Sequence, residues 1–222
     1  MFFLHTTKDV LILLIYVDDI LVTSSDPHHV SSFASRLDVI FALRDLGRLH
    51  YFLGLEIMQA ENSMYLNQHK YVHDFLQCTS MLDPRSASTP SMVGQNLSKH
   101  DGDPFHDVTL YRSTVGALKY LTLTRPDISF VVNKACQFMS NPSNTHWLVV
   151  KCILHYLKGT ASYGLSVQPS SALDIQAYTD ANWASCLYDR RSTSGYCIFI
   201  GPNLVSWSFT KQKIVSRSNA EI

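Results

Sequence analysis

The longest apolar stretch near the start of the chain is Leu11-Ile-Leu-Leu-Ile-Tyr-Val-Asp-Asp-Ile-Leu-Val-Thr23, broken only by Asp18 and Asp19. Two aliphatic runs around a short polar step predict a buried β-hairpin. Residues 1–10 read as the ragged end of a strand leading into it. Asp26-Pro27 opens a helix, because Asp accepts from the first turn and Pro suits its start. Val30, Phe33, Ala34, Leu37, Ile40 and Phe41 recur at helical spacing and predict one buried face, closed by Gly47. Tyr51–Met58 and Met64–Asn67 read as two strands joined by residues 59–63. A helix follows from Lys70 to about Met81.

Residues 83–107 are rich in chain breakers and read as a linker. Its segment His100-Asp-Gly-Asp-Pro-Phe-His106 matches no metal-ligand spacing, so it reads as a solvated loop. Three helices come next. Tyr111 to Leu123 turns Val115, Leu118 and either Leu121 or Leu123 inward. The second starts at Arg125-Pro-Asp127 and carries Ile128, Val131, Val132, Ala135, Phe138 and Met139 on one face until Pro142. The third runs from His146 to Lys158, with Trp147, Val150, Leu154 and Leu157 in one stripe and Gly159 as its stop. The period then changes to two. Leu173–Asp180, Thr193–Ile200 and Leu204–Phe209 predict an antiparallel meander. The fold class is therefore α+β.

Composition changes this picture in two ways. With 222 residues, 46% of them hydrophobic, the chain can bury a sizeable core in one or two domains. Its zero net charge is unevenly spread. Residues 1–110 carry 7 Lys and Arg against 13 Asp and Glu, residues 111–160 carry 6 against 1, and residues 161–222 carry 5 against 4. An acidic front and a basic middle suit a metal at one end and a phosphate backbone in the middle. Ordinary solvated helix faces would give the same count. Lys119, Lys134, Lys151 and Lys158 would decorate the outside of the helical bundle. Five scattered cysteines without a Cys-x-x-Cys argue against zinc and disulfides and fit a reducing compartment. The start is not a signal peptide, and no apolar run is long enough to span a membrane. An intracellular protein, neither secreted nor membrane-bound, is expected.

The candidate chemistry begins with Asp18 and Asp19. Carboxylates among aliphatic side chains are costly without a positive partner. A divalent cation would be one, and Mg²⁺ is commonly held by one or two carboxylates plus substrate phosphates. Asp is also an ordinary turn former, and the residues alone leave both readings open. Asp180, at the end of a predicted strand, reads from the residues alone as a turn or helix-cap residue.

Tyr16-Val-Asp-Asp19 in its hydrophobic frame resembles the active-site hairpin of reverse transcriptases. Leu46-Gly-x-Leu-x-Tyr-Phe-Leu-Gly-Leu-Glu-Ile57, followed by Gln68-x-Lys-Tyr71, resembles the stretch after that hairpin in copia-type retrotransposon polymerases. Tyr111-Arg-x-x-Val-Gly-x-Leu118, Thr124-Arg-Pro-Asp-Ile128, Pro142-x-x-x-His146-Trp147 and Tyr156-Leu-Lys-Gly-Thr160 are similar to successive later landmarks. Tyr178-Thr-Asp-Ala-Asn-Trp183, Asp189-Arg-Arg-Ser-Thr-Ser-Gly-Tyr196, Ser206-Trp207 and Lys211-Gln212 resemble the start of the ribonuclease H domain of the same elements. The landmarks occur in family order over about residues 11–222.

The resemblance implies a segment of a Pol polyprotein. Residues 1–82 would be a partial reverse-transcriptase palm with a primer-supporting hairpin, and 83–107 a linker. Residues 108–165 would be the helical thumb and connection, whose Lys and Arg, chiefly Lys119, Lys134, Lys151 and Lys158, would contact duplex phosphates, and 172–222 an incomplete ribonuclease H-like sheet. Asp18 and Asp19 would be catalytic metal ligands for DNA synthesis on an RNA or DNA template. Tyr16 and Val17 would pack near the primer end. Asp180 would be a metal ligand of RNA hydrolysis. Glu221 either matches the first Glu of the family's Ser-x-x-Glu-Ala-Glu-Tyr, with the ligand just past it, or is itself that ligand; the first register is preferred. The cofactor would be Mg²⁺ or Mn²⁺. The partners would be template, primer, deoxynucleoside triphosphates and the rest of Pol. Family polymerases also need a third carboxylate and fingers from earlier sequence, so this segment is expected to be inactive alone. The alternative is a non-catalytic nucleic-acid-binding remnant that uses only the basic bundle.

Overall fold

The computed structural model describes residues 1–5, 9–79, 81, 85–91, 97–99, 101–186 and 189–215. It divides into two compact units, residues 1–53 and 54–222.

In the first unit, strands β1 (Phe2–His5), β2 (Val10–Tyr16) and β3 (Asp19–Ser24) form an antiparallel sheet in that order. The first residues are thus a separate strand, with Phe2 opposite Leu13 and His5 opposite Val10, and not an extension of β2. Helix α1 (Pro27–Ile40) starts as its sequence predicts, with Pro27 in the first turn and the Asp26 carboxylate accepting from the His28 amide. The expected burial does not follow. Leu11 is the one buried apolar side chain among the described residues of this unit. Val30, Phe33, Ala34 and Leu37 are half-buried, while Ile40 and Phe41 are exposed. An apolar stripe selects which face seeks cover, but cover needs a neighbour of matching size. The helix ends at Ile40, and Gly47 lies in a later loop at φ +73°. The short strand β4 (Tyr51–Phe52) closes the unit.

The second unit opens with β5 (Leu55–Ala60) and β6 (Ser63–Asn67), a hairpin whose loop is only Glu61-Asn62. The single strand expected over Tyr51–Met58 is interrupted because Leu53 and Gly54 both adopt positive φ. Helix α2 (His69–Cys78) begins where the Glu56 carboxylate accepts from the Lys70 amide at 2.5 Å. Helices α3 (Val108–Leu121), α4 (Pro126–Cys136) and α5 (Asn144–Gly159) follow. Their inward faces close one core with Val72 and Leu76 of α2. In it Tyr111, Val115, Leu118, Leu121, Ile128, Val132, Val150, Ile153, Leu154 and Leu157 are all fully enclosed. Leu121 is the inward residue at the end of α3, and Leu123 is exposed. Helix α4 stops at Cys136, short of Pro142, although Phe138 stays buried beyond it. Phe105 is buried as well, stacked on Trp147 with ring centroids 4.9 Å apart.

One strand has no counterpart in the sequence reading. β7 (Gly164–Val167) pairs antiparallel with β6, placing Gly164 opposite Asn67 and Val167 opposite Met64. The final meander is present as β8 (Ile175–Asn182), β9 (Thr193–Ile200) and β10 (Asn203–Lys211), in sheet order β10-β9-β8. It attaches to the helices through β10. The Trp207 indole donates to the Thr122 carbonyl at 3.1 Å, the Asn133 amide donates to the Phe209 carbonyl, and Phe130 meets Phe209 edge-on.

Candidate functional site

Asp18 and Asp19 stand at the tip of the β2–β3 hairpin. The register pairs Tyr16 with Asp19 and Ile15 with Ile20, so Val17-Asp18 is a two-residue turn. Val17 has φ +49° and is 81% exposed. A β-branched residue in the left-handed region is an outlier that costs on the order of 1–3 kcal/mol, and such strain gathers at functional sites. Tyr16 at 55% exposure and both carboxylates flank it in the open. The pair is therefore not buried in aliphatic surface, contrary to the expectation from the flanking runs. Asp18 is a central residue of the turn and projects away from the ladder, and Asp19 opens β3 beside it at the exposed tip.

Among the described residues, no group of three or more His, Cys, Asp or Glu side chains is placed to hold a metal ion. The hairpin supplies an adjacent pair of hard oxygen donors. That is the share of an Mg²⁺ shell a protein commonly gives when phosphates and water supply the rest.

In the second unit the landmark motifs meet each other. Arg125, only 2% exposed, forks onto Asp127, with Nε 2.9 Å from Oδ1 and one terminal nitrogen 2.8 Å from Oδ2. Its guanidinium also donates to the Thr160 carbonyl at 2.8 Å and to the Thr160 hydroxyl at 2.7 Å. The Tyr156 hydroxyl donates to Asp127 at 2.8 Å, and the Tyr156 and Tyr163 rings each lie 5.5 Å from the guanidinium carbon. Partial burial would raise the Asp127 pKa, but the hydrogen bonds and charge of Arg125 and the bond from Tyr156 outweigh it and hold the carboxyl below its usual range. Thr124 donates to the buried Gln68 side chain at 2.8 Å, tying a third landmark in. Ser143 and His146 form a reciprocal cap on α5. His146 Nδ1 accepts from the Ser143 amide, which leaves Nε2 to donate to the Ser98 carbonyl at 3.0 Å. Burial lowers the pKa of this imidazole and keeps it neutral. Arg112 donates to the carbonyls of Met139 and Ser140. Arg125 is thus committed inside the fold and the exposed Arg112 to two backbone carbonyls, whereas the sequence reading counts the bundle's arginines with its phosphate contacts.

The four candidate lysines differ. Lys119 is exposed and donates to the Asn133 side chain at 3.3 Å. Lys134, Lys151 and Lys158 are half-buried, their stems lying along the bundle and not standing clear of it. Burial lowers the Lys134 pKa.

Asp180 is exposed on β8, opposite Gly195 of β9, and the strand continues past it to Asn182. Beyond it, Asp189 accepts from Lys211 at 2.8 Å, and Lys211 also reaches Cys186 Sγ at 3.0 Å. Desolvation opposes ionisation of Asp189, but hydrogen bonds from Cys186, Lys211 and the Arg191 amide prevail and bring it to about 2. Glu221 lies outside the described residues. Sequence reasoning missed the Arg125–Asp127–Tyr156–Thr160 clasp. Its signal was a buried-type Arg-Pro-Asp beside an apolar helix, which reads as a plain helix start.

Among the described residues no helix is long and apolar enough to cross a membrane. The family model described as reverse transcriptase (RNA-dependent DNA polymerase) matches residues 1–93. An uncharacterized mitochondrial protein of Arabidopsis thaliana is 44% identical over 94% of this chain and 87% of its own length. The retrovirus-related Pol polyprotein from transposon RE1 of the same plant is 40% identical over 100% of this chain, and that from transposon TNT 1-94 of Nicotiana tabacum is 34% identical over 95%. The chain spans only 15% and 16% of those two polyproteins. No solved structure matches it. The matched segment and these relatives are those of a protein derived from a reverse transcriptase, with which the mixed α+β fold is compatible. Within that class, the chain belongs to the copia-type retrotransposon Pol family.

Proposed function

We propose that this chain carries the metal-binding hairpin and the duplex-holding part of a copia-type reverse transcriptase, joined to the first strands of a ribonuclease H-like sheet. The observation that carries the reading is the strained Val17-Asp18 turn, which presents Asp18 and Asp19 side by side and exposed. Reverse transcriptases use a divalent metal, and Asp18 and Asp19 are the residues that would hold it. Bound there, the metal would neutralise charge on the phosphates undergoing transfer. Tyr16 and Val17 flank the carboxylates and would lie against the primer end. The bundle lysines Lys119, Lys134, Lys151 and Lys158 would take phosphates of the template–primer, which positions a duplex without reading its sequence. Asp180 would be one acid of the RNA-hydrolysing site.

Two carboxylates are fewer than such a site uses, and the hairpin is expected to need a further acid from elsewhere in Pol. A missing ligand of a two-metal site costs on the order of 10³-fold in rate or more. The isolated chain is thus expected to give no primer extension on a primed RNA template with Mg²⁺ or Mn²⁺. The same segment within a longer Pol polypeptide should extend, and Asp18→Asn with Asp19→Asn should abolish that extension. Extension that persists in the double variant would overturn the assignment. Duplex binding by the isolated chain, weakening steeply with salt and unchanged by the same two substitutions, is the expected residual activity. It is all that the non-catalytic reading requires.

A further inference from the structure

A cleft of about 500 Å³ lies between α4 and the turn that leaves β8. One wall is Phe130, Asn133 and Lys134 of α4 with Gln137 just past its end, and the other includes Asn182 and Trp183. We propose that this cleft binds a single unpaired nucleotide of the nucleic acid that the bundle holds, with its base against Trp183, a proposal that rests on the nucleic-acid reading above.

The lining has the chemistry of that ligand. Trp183 and Phe130 are large aromatics left 45% and 40% exposed. Exposed aromatic faces in a polar cleft suit stacked bases, because every base has a π-face. Gln137 and Asn182 put a side-chain amide on each wall, and Gln and Asn present donor and acceptor together, as base edges require. Lys134 supplies a cation for the phosphate. Lys211 lines the cleft as well, its ammonium held by Asp189 at 2.8 Å. Burial lowers the Lys134 pKa, and an anion beside it would reverse that shift. Size decides between strand types. A cavity of this volume is in the range of small-molecule pockets, so one nucleotide enters and a duplex does not.

The test uses the whole chain, a labelled oligothymidine and a labelled blunt duplex, with binding read by anisotropy at two salt concentrations. Stacking one base on an aromatic side chain corresponds to roughly tenfold or more in affinity. Trp183→Ala should therefore weaken single-strand binding by that factor and leave duplex binding within about twofold, with Trp183→Phe close to the parent. Oligothymidine should quench the parent's tryptophan fluorescence, and Trp183→Phe should lose that quenching while still binding. This second readout decides the matter should Trp183→Ala fail to fold, as checked by circular dichroism. Single-strand binding and quenching unaffected by either substitution would overturn the cleft, as would duplex binding with no single-strand binding. Failure to bind either nucleic acid would instead overturn the nucleic-acid reading on which the cleft depends.

Discussion

At the scale of single residues, Arg125 shows how a side chain with the chemistry of a phosphate ligand is committed to the fold. Each of its nitrogens has an acceptor in Asp127 or Thr160, and two tyrosine rings flank it. Truncating it would leave the Thr160 carbonyl without its donor and Asp127 without its counter-charge. Arg125→Ala should lower unfolding free energy by about 2–4 kcal/mol in urea titrations, and Arg125→Lys should recover little because an ammonium cannot fork. Asp127 makes the same clasp pH-dependent. Its folded pKa lies below its ordinary value, so the unfolded chain binds a proton first as pH falls. The contribution is present above the unfolded pKa and is lost as pH drops through the folded one. Urea midpoints measured from pH 6 to pH 2.5 should fall less steeply in Asp127→Asn than in the parent. Identical slopes would show that the clasp adds no pH dependence. The residue types of this clasp were legible in the sequence, but their meeting was not, because Arg125 and Thr160 are distant in the chain.

At the scale of elements, those that the sequence identified are the ones whose signals are local. Asp26-Pro27 capped α1, the apolar stripes named α3 to α5, and alternation named β9 and β10. β7 escaped because four residues, Gly-Leu-Ser-Val, hold too short a period to count. It exists through its pairing with β6, and Gly164 permits the approach. A Cβ there would collide with the Leu66 carbonyl oxygen. Gly164→Ala should therefore cost about 1–3 kcal/mol and lower the melting temperature, as overpacking does. Hydrogen exchange should report the loss at the amides of Met64–Asn67 first. An unchanged melting temperature would mean that β7 contributes little to its sheet.

At the scale of the whole molecule, the two units differ in how much apolar surface they cover. Unit 54–222 closes a core of four helices, whereas among the described residues 1–53 only Leu11 is buried. Phe2, Phe3 and Leu4 of the edge strand β1 are more than half exposed. Open apolar edges invite pairing with other chains. All three tryptophans, Trp147, Trp183 and Trp207, lie in the second unit, so their fluorescence follows it alone. Far-ultraviolet circular dichroism follows both units. The dichroism signal is expected to begin falling at lower urea than the fluorescence, a departure from two-state unfolding. Coincident transitions would show that the units unfold together.

The sequence by itself determined the family, the order of most elements and a hairpin of apolar strands around the Asp18-Asp19 step. Those are encoded by short-range periodicity, turn chemistry and motif order, which survive without knowledge of neighbours. Only the tertiary structure decided that Arg125 is clasped by Asp127 and Thr160, that β7 joins β6, that the hairpin acids stand exposed and that three of the four lysines lie half-buried. An apolar stripe states which face needs cover, and a polar motif states what it can bond. Which distant segment answers either demand depends on packing between parts of the chain far apart in sequence, and no local pattern records it.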